Sequence, residues 1–212
     1  MKETDLSSPD YFHKVVNCQY ACPAHTPVPE YIRLIAEKRY TDAYMVNWTS
    51  NVFPGILAAD HKGDISDFLP KIPTTKNGKR IALIGAGPAS LTVARDLMPL
   101  GYEITLIDRD AKAGGMVRSQ IPSFRLPETV LDEEVDLILN MGINTRFGTA
   151  INSLNTLLDE AFDAVFIGTG APVGRDLDIP GRKEAGKAVE IGINWLAGVA
   201  FEHIKQAGKK VI

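Results

Sequence analysis

The chain has 212 residues, 45% of them hydrophobic and 23% charged, which is enough apolar surface for a sizeable core and too much for a disordered chain. At roughly 150 residues per domain, this length allows one or two domains. A formal net charge of −3 excludes nucleic acid and anionic membrane as partners held by charge, no apolar stretch approaches the ~20 residues of a membrane span, and two cysteines make no disulfide framework. The polar, acid-bearing start Met1-Lys2-Glu3-Thr4-Asp5 is not expected to be a signal peptide, and the sparing cysteine use reads as cytoplasmic.

Residues 1–57 hold both cysteines, together with Trp48 and Phe53, and are expected to form a small helical segment. One amphipathic helix is predicted from Pro27-Val28-Pro29-Glu30, whose prolines and acid suit a first turn, to about Met45. Ile32, Leu34, Ile35 and Ala43 are its expected apolar side. Residues 58–79 are polar and carry Pro70, Pro73 and Lys76-Asn77-Gly78-Lys79, so they read as a linker that ends in a turn.

From Arg80 the pattern becomes α/β. Ile81-Ala82-Leu83-Ile84 is a continuous apolar run of the kind found in strands buried on both faces. A glycine turn, a helix over Leu91–Leu100 and a second run, Ile104-Thr105-Leu106-Ile107, complete a βαβ unit. A helix over Pro127–Met141, with Leu131, Val135, Ile138 and Leu139 facing the core, is followed by a strand near Ile143–Phe147. The cluster Asp132, Glu133 and Glu134 is expected on its solvated face. Ala164-Val165-Phe166-Ile167 is expected to be another buried strand, Ile191–Gln206 a helix, and Lys209-Lys210-Val211-Ile212 the beginning of a strand.

The turn Gly85-Ala86-Gly87-Pro88-Ala89-Ser90 follows the first strand and opens a helix. Its first glycine permits the tight turn, and its second lets the backbone approach a pyrophosphate. The third position must be small for helix and strand to pack, and serine fills it here in place of glycine or alanine. Helix N–H groups then face the phosphates. Asp108, about twenty residues on, can accept bonds from ribose hydroxyls. Ala94, Leu97 and Gly101 stand at the expected helix-to-sheet positions. The alternative is a tight strand-to-helix turn with no ligand.

The run Asp108-Arg109-Asp110-Ala111-Lys112-Ala113-Gly114-Gly115 looks like that of flavoproteins with two dinucleotide domains, and Gly168-Thr169-Gly170 after the later strand looks like their second glycine signature. They favour FAD over NAD at this first site. Four scattered histidines give no metal-ligand pair, and without a Gly-x-Ser-x-Gly elbow Ser90 reads as a packing residue. The basic run Lys76, Lys79 and Arg80 reads as a connector before a strand.

Ile81–Gly115 together with Ile121-Pro122-Ser123-Phe124-Arg125-Leu126-Pro127 resembles the small (beta) subunit of NADPH-dependent glutamate synthase and the FAD segment of dihydropyrimidine dehydrogenase. The likeness runs from about Asn17 to Ile212. It implies an incomplete, doubly wound Rossmann-like FAD-binding domain over 80–171, then a connecting segment and the start of an NAD(P)-binding domain over 172–212. It implies FAD contacts from Ala86 to Ser90, from Asp108 to Met116, at Arg125 and at Ile151. A surface ion pair of Arg125 with Glu128 or Asp132 is the alternative for that side chain.

Cys18-Gln19-Tyr20-Ala21-Cys22-Pro23 resembles half of the family's iron–sulfur module, so residues 1–57 read as its helical remnant. A cubane needs four protein ligands, and a cysteine-bearing stretch looks absent between Leu57 and Ala58. Cys18 and Cys22 are expected to form a partial 4Fe-4S ligand set at most, and free thiols are favoured. No side chain is expected to act as an acid–base catalyst. The resemblance implies an oxidoreductase subunit or fragment that passes electrons from NAD(P)H through FAD to an iron–sulfur or other acceptor. NAD(P)H would be bound only by a C-terminal half absent from this sequence, and a redox partner subunit or self-association is expected. The alternative is a non-catalytic interaction domain in which a vestigial flavin fold docks to a larger redox complex.

Overall fold

The computed structural model describes residues 26–54 and 69–208, and the chain divides between Pro70 and Lys71 into two compact units. The cysteine pair, the join at Leu57–Ala58 and the C-terminal residues 209–212 lie outside the described residues.

In the first unit, α1 (Val28–Ala36) and α2 (Tyr40–Trp48) form a helical hairpin. The single helix expected to reach Met45 is therefore broken, and the break has a geometric cause. At about 100° per residue, nine positions along a straight helix would set Leu34 and Ala43 on opposite sides. Reversal at Lys38 (φ 60°) lets both be buried. The reversal is closed by Lys38 N–H donating to Ile35 O and Arg39 N–H donating to Leu34 O, at 2.9 and 2.8 Å, a left-handed helix stop. Ile32 and Ile35 stay 54% and 38% exposed, so they are not part of the buried side. Tyr44, Trp48, Val52 and Phe53 complete this small core.

In the second unit, β1 (Arg80–Ile84), β2 (Glu103–Ile107), β3 (Asn144–Arg146) and β4 (Ala164–Ile167) form one sheet in the order β3-β2-β1-β4, with every pairing parallel. This is the expected α/β, Rossmann-like architecture. Register is fixed by the apolar runs, with Ile81 opposite Ile104 and Leu83 opposite Leu106. Leu83, Ile104, Leu106 and Ile107 are all essentially inaccessible, and each such side chain contributes about 1.5–3 kcal/mol of transfer free energy. That burial pins the sheet and, with it, the loops at the strand ends.

After β1 comes α3 (Pro88–Leu97), extended by a 3-10 turn (Met98–Leu100) and stopped by Gly101. The last part of the expected linker packs here, with Asn77 N–H donating to Gly101 O. After β2 come α4 (Met116–Gln120) and α5 (Glu128–Leu139). Leu131, Val135 and Ile138 of α5 are buried as expected. Glu134 is also buried, at 1% exposure, rather than solvated, because it shares the inward face with Leu131, Val135 and Ile138.

The remaining helices are α6 (Leu154–Leu158), α7 (Arg182–Ala185) and α8 (Gly192–Ala200). α8 ends well before Gln206: Glu202 takes φ 58°, and Ile204 folds back so closely that a Cβ at Gly198 would meet its Cδ1 at 2.6 Å. β4 is more open than a strand buried on both faces, with Ile167 57% exposed. It pairs with β1 on one side, and among the described residues no strand pairs with its other edge.

At the N-terminal end of the strands, Asp163 holds β1 and β4 together. Its carboxylate accepts from Lys79 Nζ at 2.7 Å and from Arg80 N–H at 2.8 Å, while the Arg80 guanidinium lies 4.8 Å from the Phe162 ring centroid. The hydrogen bond to Lys79, then that to the Arg80 backbone, lowers the Asp163 pKa, and the same bond raises that of Lys79. A carboxylate with a depressed folded pKa stabilises above its unfolded value and loses that contribution as pH falls through the folded one. The Tm advantage of wild type over Asp163→Asn is therefore expected to be constant near neutral pH. In thermal melts it should shrink once pH falls below about 4 and disappear below the depressed value.

Candidate dinucleotide-binding site

Because all four strands are parallel, the segments that follow β1, β2 and β4 emerge at the same edge of the sheet. That edge includes the position where strand order reverses, between β1 and β4, which is the usual ligand crevice of such sheets. Three glycine turns meet there.

The first contact joins Gly85 to Gly168. Gly85 has φ 90°, and a Cβ on it would lie 2.6 Å from Gly168 O. Gly168 in turn faces Ser90, since a Cβ at 168 would clash with Ser90 Oγ. Ser90 is wholly buried and its Oγ has no hydrogen-bond partner among the described residues. It is a packing residue, as its place in the turn suggests. Thr169 and Gly170 continue outward and are exposed.

The second contact joins Gly115 to Gly87. A Cβ on Gly115 (φ 53°) would lie 2.7 Å from Gly87 Cα. Gly87 is different in kind: its φ of −82° is open to any residue, and a Cβ there would meet nothing closer than Gly115 Cα at 3.9 Å. The fold itself does not demand glycine at 87. What glycine keeps there is the room a side chain would take beside the first turn of α3, where no side chain caps the helix and N–H groups have no partner within the helix. That is the fit a pyrophosphate requires.

Polar bonds wire the turns together. Ala86 N–H donates to Asp108 Oδ2 at 2.5 Å, Ala86 O accepts from Gly114 N–H at 2.8 Å, and Asp108 Oδ1 accepts from Asp110 N–H at 2.8 Å. Asp108 thus first organises its own loops. Each carboxylate oxygen keeps a further lone pair for a ribose hydroxyl. Burial, reinforced by the Asp108 charge, raises the Asp110 pKa against the opposing pull of Arg109. Arg109 itself is exposed beside Asp110, at 3.7 Å.

The other expected contacts lie around this edge. Pro88 is the first residue of α3 and Ala89, next to it, is exposed; Met116 is 44% exposed at the start of α4. Arg125 sits on a turn closed by its own N–H and that of Leu126, both donating to Pro122 O. Leu126 is buried, while Arg125 is exposed and has no ion pair among the described residues. The carboxylate expected to compete for it, Asp132, instead binds Arg118 at 2.5 Å. Ile151 is half-buried against the cluster of Ala82, Ile84, Ile107 and Leu157, so its side chain serves packing. Arg118 is the site residue that the sequence did not reveal: it is buried, and its Nε donates to Ala113 O at 2.6 Å. No apolar period or motif marks a buried arginine.

Residues 12–59 match the family described as dihydropyrimidine dehydrogenase domain II, 4Fe-4S cluster, and residues 83–154 match the NAD(P)-binding Rossmann-like domain. The chain is 30% identical to the glutamate synthase [NADPH] small chain of Bacillus subtilis, over 78% of this chain and 40% of that one. It is 26% identical to the NADPH-Fe(3+) oxidoreductase subunit beta of Geobacter sulfurreducens, over 99% of this chain and 37% of that one. It is also 29% identical to the NAD-dependent dihydropyrimidine dehydrogenase subunit PreT homolog of Salmonella typhi, over 84% of this chain and 50% of that one. This chain is similar to the glutamate synthase small chain and its oxidoreductase relatives.

These glutamate synthase-like relatives are longer, and the chain spans half of their length or less. The likeness to the Geobacter subunit runs over 248 positions against 212 residues here, so at least 36 of those positions have no counterpart in this chain. The solved 6-hydroxypseudooxynicotine amine oxidase of Pseudomonas geniculata N1 overlaps 53% of the chain at 28% identity, with a TM-score of 0.39, too loose a match to bear on the site. Among the described residues no helix is long and apolar enough to cross a membrane, and no cluster of three or more His, Cys, Asp or Glu could hold a metal.

The two kinds of glycine separate in a thermal melt. Gly85→Ala and Gly115→Ala are each expected to cost at least about 1 kcal/mol through the positive φ and the backbone clash, whereas Gly87→Ala should melt like wild type. Ser90→Ala, which removes a buried hydroxyl without a partner, should be neutral or slightly stabilising.

Proposed function

We propose that this chain is the FAD-binding part of an oxidoreductase subunit that carries electrons from NAD(P)H through FAD to an iron–sulfur or other acceptor. The observation that carries the reading is the space preserved at Gly87 where the three glycine turns meet, since the chain's own packing does not require it. Bound there, FAD would supply the redox chemistry, between a two-electron hydride donor and a one-electron acceptor. The protein's share is binding and orientation. The first turn of α3 would hold the pyrophosphate, Asp108 would accept from the ribose, and the Gly114–Gly115 turn would border the dinucleotide. Arg125, exposed and without an ion pair among the described residues, is the cation for a phosphate or a flavin carbonyl. No acid–base residue is assigned, because hydride transfer to a flavin requires none.

Residues 80–171 are the proposed first part of the FAD domain and 172–212 the connection toward an NAD(P)-binding domain. Residues 1–57 are the proposed remnant of the iron–sulfur module. The match over 12–59 supports that origin, but Cys18 and Cys22 supply two of the four ligands a cubane needs. The relatives include a small chain and two subunits, which favours a partner subunit for this chain too.

The test is the absorption spectrum of the purified chain, followed by identification of any released cofactor. Flavin bands are expected, and Gly87→Val should lose them while remaining folded. Iron should fall short of four per chain. A colourless, folded wild type that takes up no added FAD would move the assignment to a docking domain with a vestigial flavin fold.

A further inference from the structure

We propose that Arg118 is the positioning residue of this site: its buried guanidinium holds the Gly114–Gly115 turn in the contact with Gly87 that shapes the cradle. The inference rests on the reading of the three turns as a dinucleotide cradle, and it adds the side chain that sets their spacing.

Arg118 is 6% exposed. Its Nε donates to Ala113 O at 2.6 Å and its Nη2 to Asp132 Oδ1 at 2.5 Å, while Nη1 is buried without a partner among the described residues. The stem lies directly against the turn: a Cβ at Gly114 would be 3.2 Å from Arg118 Cβ and 3.3 Å from Nε. From there the bonding is continuous. Gly114 N–H donates to Ala86 O, and Gly115 presses on Gly87.

Charge pairing alone does not explain this arginine. The Asp132 side chain is 39% exposed, and Lys112 Nζ lies 3.7 Å from its other oxygen, so it has a second cation and water. The acceptor with the greater need is Ala113 O, in a residue only 3% exposed, and a buried carbonyl left unpaired costs about 1–3 kcal/mol. A planar guanidinium fork can serve that carbonyl and anchor on α5 in one rigid arrangement. Lysine, a flexible point charge, cannot do both with the same geometry.

The experiment measures FAD binding and hydrogen exchange on the full chain, with Arg118→Met and Arg118→Lys as variants. In Arg118→Met the Kd for FAD should rise about tenfold or more, the equivalent of one hydrogen bond to a charged group. Far-UV circular dichroism should be unchanged. Exchange at the Gly114 and Gly115 amides should accelerate while that at Ala82 and Leu83 in β1 does not. Methylguanidinium, below denaturing concentrations, should restore part of the affinity. Wild-type affinity together with wild-type exchange overturns the proposal, and so does acceleration spread evenly over the sheet, which marks a role in global stability alone.

If wild type takes up no FAD, the cradle reading fails, and the exchange data then decide Arg118 alone. Acceleration confined to the turn supports its holding the turn, and unchanged exchange overturns it. Should Arg118→Met not fold, Arg118→Lys is decisive: weakened binding with a normal fold supports the inference, and wild-type affinity overturns it.

Discussion

The site depends on backbone meeting backbone where side chains would not fit. Gly85 lies against Gly168 and Gly115 against Gly87, with ideal Cβ positions falling 2.6 and 2.7 Å from the opposing main chain. No real Cβ survives at those distances without displacing a strand end, so these pairs set how closely the turns after β1, β2 and β4 approach. The core below makes that spacing rigid. Leu83, Leu106 and Ile107 hold the strand ends in register, and parallel pairing brings the three turns to one edge.

A layer of polar bonds then fixes the turns laterally. Asp108 accepts from Ala86 and Asp110, Ala86 accepts from Gly114, and Arg118 joins Ala113 to Asp132. The backbone groups of Ala86, Asp110, Ala113 and Gly114 thereby have partners that also set their positions. At the other end of the sheet, Asp163 does comparable work for β1 and β4 with exposed groups. Solvent screening makes that end the more sensitive to salt and pH.

Much of the dinucleotide edge was legible in the linear order of residues. A buried strand can be read from Ile81–Ile84 because an unbroken apolar run has few other uses, and Gly85, Gly87 and Asp108 follow at the intervals a βαβ turn imposes. The hairpin at Lys38 was not legible. Its stop uses a charged residue at positive φ, where glycine is the usual signal. Glu134 and Arg118 were missed for a related reason. Composition places charges outside, and only the three-dimensional arrangement shows which one a buried polar group needs.

Local periodicity, and backbone angles that only glycine adopts readily, are enough to specify the α/β class, the strand-turn-helix order and the small residues on which the turns depend. Tertiary structure decided which of those glycines the fold requires and which it merely leaves open. A Cβ at Gly85 or Gly115 would clash with opposing main chain, whereas one at Gly87 would only reach ordinary contact with Gly115. It also decided that Ile151 packs into the core, that Asp132 belongs to Arg118 rather than Arg125, and that Leu34 and Ala43 are buried on two helices instead of one. These outcomes depend on distances between segments far apart in the chain, and such distances exist only once the sheet has closed.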